Sequence, residues 1–135
     1  MTKRILLMTV AFAFLLSLII AGTANAITLE KSKYFDPPEG TPEKAIELIA
    51  EVEKLMEKGR NTEKVTEFKE IADEMLKTAK KAAREAPKWA VPPYYICIAY
   101  QWLQKNSLAK KYAEEALDIE PEWHEAWLEL GDIYS

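Results

Sequence analysis

From residue 41 onward, apolar side chains recur at helical spacing and never alternate for long enough to make a strand. Thr41-Pro42-Glu43 has the form of a helix start: a capping residue, a proline at the first helical position and an acid in the first turn. Apolar residues at 45, 48, 49, 52, 55 and 56 follow, and Gly59 is expected to end the run. Asn61 or Thr62 should cap a second helix with apolar positions at 65, 68, 72, 75, 76, 79, 82, 83 and 86, stopped by Pro87. Pro92-Pro93 opens a third helix reaching about Gln104, and Asn106-Ser107 caps a fourth that ends before Pro121. A fifth runs from about Glu122 to Tyr134. The breaks are therefore expected near 59–61, 87–92, 104–107 and 120–122. The loops are a few residues long, so consecutive helices should pack antiparallel in an all-α domain.

The N-terminus has a different pattern. Met1-Thr-Lys-Arg4 is a short basic stretch ahead of the apolar run Ile5 to Ala21, and Ala24 and Ala26 give the small-x-small pattern of a cleavage site. Residues 1–26 are expected to be a signal peptide, which makes the chain exported and periplasmic or extracellular. The competing expectation is a retained membrane anchor over residues 5–21, since about seventeen apolar residues is near the lower limit for spanning. Residues 27–40 show no lasting period and end in Pro37, Pro38 and Gly40, the pattern of a linker.

Composition narrows the functional classes. The chain has 135 residues and a formal charge of −4, which becomes −6 without the signal peptide, against the basic excess usual for nucleic-acid binders. Its single cysteine can close no internal disulfide and cannot supply a four-ligand zinc site. With one histidine and four serines, little hydrolytic machinery can be assembled. No enzyme activity, metal or other cofactor is expected unless a catalytic domain lies beyond Ser135.

A repeat is visible in the second half. Ala82 and Pro87 stand five apart, and thirty-four residues later Ala116 and Pro121 stand in the same relation. Cys97 and Tyr100 are matched at the same interval by Gly131 and Tyr134. Self-similarity at that period in paired helices marks a helical solenoid. Trp127, Leu130, Gly131 and Tyr134 give W-x-x-L-G-x-x-Y, preceded by Ala109, Ala116 and Pro121. On these residues the chain resembles the tetratricopeptide repeat family, well over 87–135 and weakly over 41–86. The resemblance implies helical hairpins stacked as a short right-handed solenoid, with 41–86 a divergent hairpin and 87–135 the repeats, the last incomplete or capping. Three features depart from the family pattern. Pro93 stands where Trp127 would match, Ala113 replaces an aromatic that Tyr112 could supply, and the second helix is long. Small residues at Cys97, Ala109, Ala116 and Gly131 should let helices approach, while Tyr100, Trp127 and Tyr134 fill space between hairpins. The final helix is apolar on more than one face, which favours a fragment of a longer protein over a terminal cap.

The candidate chemistry is sparse. His124-Glu125 lacks the second histidine of a zinc-protease motif, because position 128 is Leu. Cys97 reads as a small buried residue at a helix contact. Lys77, Lys80, Lys81, Arg84 and Lys88 form a basic stripe with acids within reach, the pattern of a solvated face. The aromatics concentrate in the second half. By the family's register, the concave groove would be lined by Tyr94, Ile98, Gln101 and Trp102 and then by Glu125 and Leu128, with Tyr100 turned inward. The basic and Asn residues of the carboxylate clamp found in some family members are not evident, since Tyr95 and Glu129 stand where Asn would. The function implied is a scaffold that binds a protein or peptide segment in that groove, with no nucleic acid, and with a membrane only if the N-terminal helix is kept. The alternative is a membrane-tethered structural or assembly subunit of a cell-envelope complex.

Overall fold

The computed structural model describes residues 31–135. The expected signal peptide, its anchor alternative and the start of the linker lie outside the described residues. After a single 3-10 turn at Lys33–Phe35 come α1 (Glu43–Asn61), α2 (Val65–Glu85), α3 (Val91–Trp102), α4 (Asn106–Ile119) and α5 (His124–Tyr134). No strand occurs among the described residues, and no helix there is long and apolar enough to cross a membrane.

The helix ends differ from the sequence expectations in instructive ways. Gly59 does not stop α1. It is a buried helical residue, and the helix continues to Asn61. A Cβ at Gly59 would run into the Trp102 ring, lying 2.9 Å from Cη2 and 3.3 Å from Ile71 Cγ2. The glycine therefore makes room for an indole, and close approach rather than backbone freedom explains it. The break falls at 62–64, where Thr62 takes an extended backbone and donates its hydroxyl to Glu67 Oε2 at 2.9 Å. Thr41 is not the side-chain cap either. Its hydroxyl donates to Pro38 O at 2.7 Å, tying the turn ahead of α1, and Pro42 holds the cap position. Asn61 and Asn106 lie inside helices, and neither α2 nor α4 has a side-chain cap. Pro92 and Pro93 do sit in the first turn of α3, where a missing N–H costs nothing. Just past the end of that helix Gln104 stands at φ 59°, with Lys105 N–H reaching back to Tyr100 O at 2.8 Å. Such a left-handed cap normally carries glycine.

Helices adjacent in the chain pack on one another, and α3 also touches both α1 and α5. The pairings give the directions. Glu53 meets Tyr95 and Gly59 meets Trp102, while Tyr94 meets Trp123 and Gln101 meets Glu129. In each case the partner's number rises with the residue's, so α1, α3 and α5 run parallel. Lys80 meets Tyr100 while Phe68 meets Trp102, the falling order of an antiparallel neighbour.

The core is centred on α3, buried at every position from Val91 to Tyr100. A helix that is apolar all round belongs in the middle. Alanines make the close contacts: Ala72, Ala79 and Ala82 of α2 and Ala109, Ala113 and Ala116 of α4 are essentially inaccessible. The last helix differs. Ala126 and Leu130 are buried on its inner side, but Trp127, Leu128 and Tyr134 are more than half exposed. A Cβ at Gly131 would meet nothing within 4 Å. Trp127 and Tyr134 make only edge contacts among the described residues, Trp127 donating from its indole to Pro121 O at 2.8 Å and Lys110 lying 4.9 Å from the Tyr134 ring, and Gly131 is not in a close helix contact there.

Candidate functional site

The six groove candidates divide into a core pair, a wedge and an open trio. Tyr94 and Ile98, each 8% exposed, belong to the core. Trp102 is half-buried, stacked on Phe68 with ring centroids 4.7 Å apart and pressed over Gly59, so its ring fills a slot between α3 and the first hairpin. Gln101 and Glu125 are half-buried, and Leu128 is 55% exposed. Tyr100 is buried. It accepts a 2.8 Å hydrogen bond from Lys80 Nζ and lies beside Tyr112. That bond raises the Lys80 pKa and engages one member of the basic stripe, while Lys77, Lys81, Arg84 and Lys88 stay exposed.

A polar cluster forms where α1, α3 and α5 come together. Gln101 donates from Nε2 to the Glu129 backbone carbonyl at 3.5 Å, and the Tyr94 hydroxyl lies close enough to the Glu129 carboxylate to favour its charged form. Burial is the largest influence on Glu129 and raises its pKa; Gln101, Tyr94 and the Arg60 charge work the other way. Tyr94 is pushed well above the ordinary phenol range, first by burial and then by the charges of Glu129 and Glu125. Tyr95 donates to Glu53 Oε1 at 3.1 Å, and burial and that carboxylate raise its pKa too. Each helix thus contributes: Glu53 and Arg60 from α1, Tyr94, Tyr95 and Gln101 from α3, and Glu125 and Glu129 from α5. In the tetratricopeptide register Tyr95 and Glu129 stand where a clamp Asn would, and the sequence marks them only as departures from that pattern. Arg60 and Glu53 were missed, because the register does not extend cleanly into the first hairpin.

The second feature missed by the sequence is aromatic. Phe35, in the stretch expected to be a linker, packs edge-on against Tyr94 at 5.7 Å and Trp123 at 5.2 Å, and lies 6.2 Å from Tyr95. Tyr34 lies 6.2 Å from Trp123, whose ring is 4.5 Å from that of Tyr94. The available signal was the adjacent pair Tyr34-Phe35 in an otherwise polar stretch.

The remaining candidates are His124 and Cys97. His124 is exposed at the start of α5, and no group of three or more metal-ligating side chains occurs among the described residues. Cys97 is fully buried, and burial pushes its thiol up to about 12, which keeps it protonated and unreactive at neutral pH. No family model, curated protein or solved structure matches this chain.

Proposed function

We propose that the chain is an exported, non-enzymatic interaction module that holds a protein segment along the face shared by α1, α3 and α5. It works in the manner of a short tetratricopeptide-like solenoid. The supporting observation is the convergence of Glu53, Tyr94, Tyr95, Gln101, Glu125 and Glu129 from three parallel helices, with the Arg60 charge nearby and Leu128 exposed on α5. Rigid helices bearing a half-desolvated polar row beside an apolar residue can order a peptide at little entropic cost. The acids Glu53, Glu125 and Glu129 select a partner with basic character, and Arg60 sets one fixed counter-charge.

Selection from a displayed peptide library against the full chain tests this reading, with the selected peptides re-measured on Leu128→Asp. Leu128 is exposed, so that variant should keep its helical signal and melting temperature while affinity falls about tenfold or more. Peptides that bind the variant as tightly as the parent, or a selection that yields none, would refute the reading.

A further inference from the structure

The strap 32–36 is seated on the edge of this face as a ligand would be. Its turn is closed by its own backbone, Phe35 N–H to Ser32 O at 2.9 Å and Asp36 N–H to Lys33 O at 3.2 Å. Phe35 inserts among Tyr94, Tyr95 and Trp123, edge-to-face with Tyr94 and Trp123 and tilted against Tyr95. Beneath the strap lies an unmet requirement. Trp123 is fully buried, yet its indole N–H has no acceptor. Trp89, 4% exposed, lines two shallow clefts, one shared with Lys33, Tyr34, Asp36 and Pro38 and the other with Pro38, Gly40 and Pro42, and its indole N–H is also unpartnered. A buried donor without a partner is costly, and an element built only to complete the core would be expected to satisfy at least one. The strap supplies the ring but not the acceptors. It is also tethered to α1 by an exposed turn, Pro37 to Gly40, with Gly40 at φ 82° and Thr41 bonded to Pro38 O.

We propose that Tyr94, Tyr95 and Trp123 form a binding site for an aromatic side chain carried on a short peptide turn. Phe35 is its resident occupant, held in cis and displaced by a partner segment whose backbone carbonyls accept from the indoles. This rests on the interaction-module reading and gives it a partner chemistry, an aromatic on a compact turn, together with a regulation. The tethered strap competes at an effective concentration of the order of millimolar or above, because the short connection holds it close to its site. Free segments must exceed that competition to bind.

The probe is a fluorescein-labelled peptide with the sequence of residues 31–38, beside the same peptide carrying alanine at the Phe35 position. Both are titrated against the full chain and against Phe35→Ala. Phe35→Ala should bind the aromatic peptide at least tenfold tighter than the parent does, and neither protein should bind the alanine peptide. In the parent, the Trp123 indole resonance should shift only at far higher peptide concentrations. Equal or undetectable binding to both proteins overturns the proposal. So does loss of the cooperative helical melt in Phe35→Ala, since the strap would then be part of the fold rather than a ligand. Failure here, with library peptides still captured in a Leu128-dependent way, leaves the interaction-module reading standing. Failure of both removes it.

Discussion

Cys97 and Gly131 occupy the same place in the thirty-four-residue register, as do Tyr100 and Tyr134, yet their surroundings are opposite. On α3 the cysteine is completely buried and the tyrosine is 6% exposed, bonded to Lys80 from α2 and flanked by Tyr112 from α4. On α5 the glycine faces open space and the tyrosine is 65% exposed. Register determines which residue types recur, but the neighbours determine what those residues do. α3 has helices on every side, whereas among the described residues α5 has them on one.

The largest effect that sharpens this contrast is at the tyrosines. Tyr100→Ala should cost about 3–5 kcal/mol, as truncation of a buried aromatic does, and should lower the melting temperature by many degrees. Tyr134→Ala should stay within about 0.5 kcal/mol, the range of an exposed substitution. Equal losses at the two positions would mean that α5 has a covered outer face.

Next is Ala116, inaccessible where α4 lies against its neighbours. Ala116→Leu should overpack that contact at a cost of about 1–3 kcal/mol, and Ala116→Ser should be far milder. An unchanged denaturant midpoint for the leucine variant would break the α4 register.

The glycine is the smaller test. A helical Gly→Ala change with space for the methyl stabilises by about 0.5–1 kcal/mol, so Gly131→Ala should raise the melting temperature slightly. A destabilising result would show that something packs on that side.

The smallest effect is electrostatic. Burial holds the Glu129 pKa above the ordinary carboxylate value, so within that window the folded chain binds more protons than the unfolded one. Stability must then fall as pH rises from the ordinary glutamate range through the folded value, and the cost of the ionised form is complete above it. Glu129→Gln should flatten that slope in a series of urea melts. An identical slope in parent and variant would place Glu129 in water.

Much of the fold was legible in the sequence because helical period is a local property repeated many times. Five helices and their approximate breaks follow from it. What was not legible depends on single tertiary encounters. Gly59 has the form of a stop signal, and only the Trp102 ring across the contact explains why it stays helical. Trp102 has the register of a groove residue, and only Phe68 and Gly59 show that its ring is taken up in packing. Thr41 and Asn106 have the chemistry of caps, but each backbone lies one residue away from the capping position. Phe35 carries no periodic signal, because one ring in an irregular strap gains its meaning from Tyr94 and Trp123, some sixty and ninety residues away. The polar side of the site was half legible. Gln101 and Glu125 came from the register, while Arg60 became visible only when α1 was laid beside α3.

Native-state amide hydrogen exchange, resolved by residue, tests the contrast between α3 and α5 most directly. Amides of Ile96 to Tyr100 should exchange only through global unfolding and be the slowest in the chain. Those of Leu130 to Tyr134 should exchange through local opening, roughly a hundredfold faster or more, consistent with an opening free energy several kcal/mol below the global value. Matching protection in the two helices would contradict the account, because α5 would then be as enclosed as α3.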